Sequence, residues 1–166
     1  LVPLDLLPVL VVELGEHLRL PVRALLRPRF GDFCYDAYEL AQMEQSAAEL
    51  VAAGADGIVT GVLTPDGALD VDALRPIYAA AAHAGAQAAR PVALTLHRAF
   101  DVCRDPFAAL EDACALGLST ILTSGQAASA PMGTPLLRRL VEAAGDRIEI
   151  LVGAGVSPAN LPTLAA

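Results

Sequence analysis

The run GIVTGVL at Gly57–Leu63 is apolar almost from end to end, without the alternation expected of a strand that keeps one face wet. STILTSG at Ser119–Gly125 and IEILVG at Ile148–Gly153 read the same way. Strands covered on both faces have this character, and both faces are covered when helices flank a parallel sheet. Working outward, β-rich runs bring the expected strands to five: Pro21–Leu26, Gly57–Leu63, Pro91–Phe100, Ser119–Thr123 and Arg147–Val152. Their starts lie roughly 28 to 36 residues apart, the length of one βα unit.

The segments between them carry helix punctuation. Asp105 and Pro106 suit an N-cap and a first helical position, and Gly117 a C-terminal stop. The helix they open would put Phe107, Leu110 and Cys114 on one face. In Ala37–Ala53, Leu40, Met43, Ala47, Leu50 and Val51 share a stripe that ends at Gly54. Helices are likewise expected over Asp72–Ala84, stopped by Gly85 with Pro76 confined to the first turn, and over Thr134–Ala144, stopped by Gly145. A weaker helix is expected over Leu6–Leu18, ahead of the first strand.

This alternation predicts an α/β fold, and two architectures compete: a (β/α)8 barrel and an open doubly wound sheet. No GxGxxG follows the first strand, as a dinucleotide-binding sheet would require. Instead nearly every strand ends in polar residues or glycine: Arg27-Pro28-Arg29, Thr60-Gly61, His97-Arg98, Thr123-Ser124-Gly125, Gly153-Ala154-Gly155. Chemistry spread over many strand ends is the habit of the barrel. A whole barrel takes about 250 residues, so the 166 here are expected to form a partial one, a single domain over residues 1–166.

Composition narrows the chemistry. All 11 cations are arginine, which removes Schiff-base aldolases, pyridoxal enzymes and Walker-A loops from this chain. A formal charge of −8 argues against nucleic acid as a partner. No run of eighteen uncharged apolar residues occurs, so no membrane span is expected. Three cysteines, Cys34, Cys103 and Cys114, without CxxC spacing fit neither a disulfide framework nor a structural zinc site, and point to the reducing cytoplasm.

Several motifs together resemble the CutC copper-homeostasis family: RPRFGDFCYD at Arg27–Asp36, VTGVLTPDGALD at Val59–Asp70, LTLHRAFDVCRDP at Leu94–Pro106, LTSGQ at Leu122–Gln126 and VGAGV at Val152–Val156. The resemblance runs in order over Pro21–Leu164. It implies a (β/α)8 barrel of which the first two strands and the last have no counterpart here, and it implies copper handling. Unsatisfied sheet edges in a partial barrel predict a homo-oligomer.

Cys34 and Cys103 each follow an expected strand, at the catalytic end of a barrel. Soft thiolates suit Cu(I), and the resemblance makes these two the copper contacts; the alternative is two small loop residues. Cys114 reads as packing, and His17 and His83 as helix-surface residues. His97 ends a strand, where an imidazole serves as general base, as metal ligand or as a hydrogen-bonded structural residue. Arg27, Arg29 and Arg98 suit a carboxylate or phosphate, or else ion pairs with Asp32 or Asp101. Gly153 and Gly155, with Thr123 and Ser124 on the neighbouring strand end, could cradle an anion, though a tight turn needs the same glycines. Beside copper handling stands a different class: a lysine-independent lyase, isomerase or hydrolase acting on a small anionic substrate. In that reading His97 is the base and Arg27 and Arg98 are the clamp, with Asp101 beside them.

Overall fold

The computed structural model describes residues 21–164, so the helix expected over Leu6–Leu18 and the placement of His17 lie outside the described residues. The chain divides into two compact units, Leu1–Val62 with Asp70–Leu94, and Leu63–Leu69 with Thr95–Ala166. Five strands alternate with helices, and every register resolved between strands is parallel.

In the first unit, β1 (Arg23–Leu25) pairs with β2 (Gly57–Thr60), Ala24 opposite Ile58. Gly57 is required by close approach: a Cβ there would stand 2.6 Å from the Ala93 carbonyl oxygen. The connecting helix α1 (Ala37–Ala52) opens with a capping box, the Asp36 carboxylate accepting from the Tyr38 and Glu39 amides while Glu39 reaches back to the Asp36 amide. Met43, Ala47, Leu50 and Val51 of the expected stripe are buried, as are Leu74, Ile77 and Ala81 of α2 (Val71–Gln87), the helix against which α1 packs.

Two expectations for α2 are corrected. Gly85 does not stop the helix but lies within it, buried, where a Cβ would collide with Val92 Cγ2 and come 3.0 Å from the Arg90 carbonyl. Glycine is needed there for close packing, not for a left-handed turn. Pro76 is the sixth helical residue and not part of the first turn, so the helix continues past it.

β3 (Ala93–Leu96) leaves the first unit, where the Ala93 amide donates to the Asp56 carbonyl at 2.9 Å, and ends in the second. There it pairs with β4 (Thr120–Thr123), Leu96 opposite Ile121, and β4 pairs with β5 (Glu149–Val152), Thr123 opposite Val152. The strand expected to run through Phe100 stops at Leu96, and Arg98–Val102 is a 3-10 turn. Helix α3 (Pro106–Ala115) has the expected Asp105 cap, which accepts from the Phe107 and Ala108 amides. Helix α4 (Ala130–Ala144) starts four residues earlier than expected, because Pro131 falls in its first turn, where the missing N–H costs nothing. Gly145 ends it at φ +53°. A short helix, α5 (Leu161–Leu164), follows β5. Leu96, Phe100, Leu110, Ile121, Leu137 and Leu140 form the buried centre of this unit.

Candidate functional site

In the second unit the C-terminal ends of β3, β4 and β5 gather the polar groups. His97 follows β3 directly and is 5% exposed. Its Nδ1 accepts from the Ala99 amide at 3.2 Å, capping the 3-10 turn. An Nδ1 that accepts carries no proton, so the neutral ring holds its proton on Nε2. A 3-10 turn has three residues per repeat, which brings Arg98 and Asp101 to the same side. Arg98 Nε donates to Asp101 Oδ2 at 2.7 Å, and Nη2 to Ser124 Oγ at 3.2 Å.

Asp101 is the most heavily bonded group of the site. Its carboxylate accepts from Thr123 Oγ1 at 2.5 Å, from the Ser124 amide at 2.9 Å and from the Gln126 amide at 3.2 Å. Burial works against the ionised form, but the bonds from Thr123, Arg98, Ser124 and Gln126 outweigh it and hold the carboxyl below its usual range. The Ser124 hydroxyl has a single proton, within reach of the Ala127 carbonyl at 2.7 Å and Asp101 Oδ2 at 3.0 Å. The turn after β4 owes its shape to two successive left-handed residues, Gly125 at φ +71° and Gln126 at φ +53°. Gln126 bears the strain of that conformation while its Nε2 donates to the Phe100 and Cys103 carbonyls at 3.2 and 2.8 Å. Sequence reasoning missed Gln126; nothing in LTSGQ distinguishes it from an ordinary loop amide.

Cys103 is buried at the end of the same turn, and burial pushes its thiol up to about 11. The loop after β5 is pinned to the start of α4: the Ala130 amide donates to the Ala154 carbonyl at 2.8 Å, and the Gly153 amide to the Thr123 carbonyl at 2.9 Å. Ala154 and Gly155 are both left-handed, at φ +73° and +75°. Thr123, Ser124, Gly153 and Gly155 are therefore brought to neighbouring strand ends, with Thr123 and Ser124 engaged by Asp101.

Arg27 and Cys34 belong to the first unit, in the loop that follows β1. Arg27 donates to the Arg29 and Gly31 carbonyls, each at 3.2 Å, and its guanidinium lies 4.7 Å from the Phe33 ring centre. Arg29 makes the expected ion pair with Asp32 at 3.0 Å and another with Glu39 at 2.6 Å. Its Nη2 donates to the Cys34 carbonyl at 2.6 Å. Glu39, also missed, was open to detection through the Asp-x-x-Glu spacing of the capping box. Cys34 is half-buried, as is Cys114 on α3, and His83 is exposed and bonded to Gln87.

Among the described residues no group of three or more His, Cys, Asp or Glu side chains could hold a metal. A soft metal at Cys103 would have to displace the proton that burial retains there, and His97 Nδ1 is engaged by the Ala99 amide. Among them, too, no helix is long and apolar enough to cross a membrane.

Parallel strands alternating with helices, and polar groups at the carboxyl ends of the strands, define a barrel-like α/β protein. A sequence model of the CutC family matches residues 7–166. The CutC family protein of Chromobacterium violaceum is 47% identical over 150 residues, covering 90% of this chain and 58% of that protein. The CutC family protein of Vibrio vulnificus strain CMCP6 is 48% identical over 145 residues, covering 87% and 56%. The chain belongs to the CutC family and spans less than two thirds of the length of these relatives. The crystal structure of CutC from Streptococcus agalactiae, provisionally described as a copper homeostasis protein, superimposes with a TM-score of 0.85 at 30% identity, over 95% of this chain and 75% of that one. A provisionally assigned phosphonomutase of Burkholderia cenocepacia, 20% identical with a TM-score of 0.69 over 98% and 67% of the two chains, shares the fold.

Proposed function

We propose that the ends of β3 and β4 bind a small oxygen-bearing anion, Arg98 supplying the charged contact and His97 a proton, as part of a lysine-independent barrel enzyme. The observation that carries this reading is the held guanidinium: Arg98 is fixed by Asp101 and Ser124, yet its side chain is 46% exposed. Among the described residues Nη1 has no acceptor, so it remains available to a carboxylate or phosphate oxygen. With Nδ1 taken by the Ala99 amide, His97 donates to a developing negative charge through Nε2, a buried atom that the entering ligand must uncover; acting as base would require the tautomer that the Ala99 amide opposes. Gly153 and Gly155 supply backbone to the same end of the unit. Titration of the chain with acetate and inorganic phosphate, followed at the Arg98 side-chain resonances, tests this. Saturable binding lost in Arg98→Ala supports the reading, and binding that survives Arg98→Ala overturns it.

A second reading, copper as cargo, draws on the description of the Streptococcus agalactiae protein and on the strand-end positions of Cys34 and Cys103. Its test is Cu(I) titration in competition with a chromogenic chelator. Equal affinity in the parent and in the double variant Cys34→Ser/Cys103→Ser would sink it. Either reading suits a cytoplasmic protein, in keeping with three free cysteines.

A further inference from the structure

Five donor groups from two segments converge on one carboxylate. Thr123 Oγ1, the amides of Ser124 and Gln126, the Ser124 hydroxyl and Arg98 Nε all lie within 2.5 to 3.2 Å of Asp101. Thr123 and Ser124 are fully buried, so the turn after β4 is a finished anion cradle whose occupant is supplied by the chain itself. The cradle also clasps the segment that carries its anion, through Gln126 Nε2 on the carbonyls of Phe100 and Cys103. Arg98 is consequently oriented and charge-balanced before any ligand arrives: Nε is committed to Asp101, and Nη2 gives one bond to Ser124. Arg104, the other cation just past the 3-10 turn, is paired with Asp66.

We propose that Asp101 is a positioning residue: it aims the Nη1 edge of Arg98 at the ligand and, by balancing the guanidinium, makes the site favour a singly charged carboxylate over a phosphate dianion. This rests on the reading of Arg98 as the ligand contact. A dianion at Nη1 meets one positive charge and, directly behind it, one negative charge. A monocarboxylate loses less to that repulsion and keeps the same hydrogen bonds.

The test has two arms, both on the full chain. Without ligand, the Arg98 Nε–H resonance is expected to be resolved and protected in the parent, and to move to the solvent-exposed position with fast exchange in Asp101→Ala. Sodium formate, filling the empty cradle, should restore it and shift the Ser124 and Gln126 amides. Asp101→Asn serves the same arm should the alanine variant fail to fold, with loss of Nε–H protection as its readout. An Arg98 resonance unmoved by either substitution, or a folded alanine variant unaffected by formate, overturns the positioning role. With ligand, acetate and inorganic phosphate are titrated into parent and Asp101→Asn. The parent should bind acetate more tightly, and the variant should gain phosphate affinity on the order of tenfold, with a smaller change for acetate. An unchanged ratio of the two affinities overturns the charge selectivity. If neither anion perturbs Arg98 while formate still restores the alanine variant, the ligand reading and the selectivity fall together and the positioning role stands.

Discussion

His97, Arg98 and Asp101 share one short turn, and each side chain is committed differently. His97 caps the turn through Nδ1, so His97→Ala should lower stability by about 1 kcal/mol in urea denaturation. His97→Asn retains a capping oxygen and should recover most of that loss while removing the ring proton; equal destabilisation by both would show that the cap is not the cause. Asp101 has a carboxyl held below its usual range. A depressed carboxyl stabilises the fold above its unfolded value of about 3.9, and that contribution disappears as pH falls through the lower folded value. Acid unfolding of the parent should therefore steepen below about pH 4, and Asp101→Asn should flatten that limb. Cys103, with a thiol raised to about 11, should resist iodoacetamide at pH 8 in the folded chain and react once the chain is unfolded in urea. Rapid modification of native Cys103, located by peptide mapping, would contradict its burial.

Elements meet here through glycines inside helices, one of which, Gly85, was expected to end its helix. Gly85 inside α2 lets the helix approach Val92 and the Arg90 carbonyl, and Gly133 inside α4 lets that helix touch the Ser124 carbonyl. Alanine normally gains up to about 1 kcal/mol over glycine within a helix. At these two positions it should cost about 1–3 kcal/mol instead, because the Cβ overpacks against backbone or a β-branched side chain. Gly133→Ala carries a second readout, since it presses on the turn that holds Asp101: the Ser124 and Gln126 amide resonances should shift, and Gly85→Ala should leave them in place. The ends of the expected elements differ in how well a sequence shows them. Asp105 and Gly145 signal through side-chain or φ preferences of a single residue, whereas β3 stops at Leu96 because His97 and Asp101 are bonded out of the strand. Apart from Arg98, Asp101's partners lie more than twenty residues further along.

For the molecule as a whole, each unit keeps a strand with exposed leucine, Leu25 on β1 at 60% and Leu151 on β5 at 49%. Apolar strand surface of this kind associates in water. The chain is therefore expected to sediment as a homo-oligomer, and Leu25→Lys with Leu151→Lys should shift it toward monomer. A parent that sediments as a monodisperse monomer at all concentrations would contradict this. Stability should depend on contacts remote from the strand ends: Arg90 binds the Val51 carbonyl in the last turn of α1 and the Gly54 carbonyl just past it, and Arg90→Ala should destabilise the first unit without moving the Asp101 resonances.

The alternation of strands and helices, the parallel pairing and the family are legible in the amino-acid sequence, because they rest on apolar periodicity, caps and motifs written in contiguous residues. The sequence also excluded lysine chemistry from this chain, a matter of composition alone. Folding alone makes Asp101 the anion of the Thr123–Gln126 turn and buries Cys103 as a thiol. Each of these depends on which groups folding brings within 3 Å of one another and which it removes from water, and no local pattern encodes either.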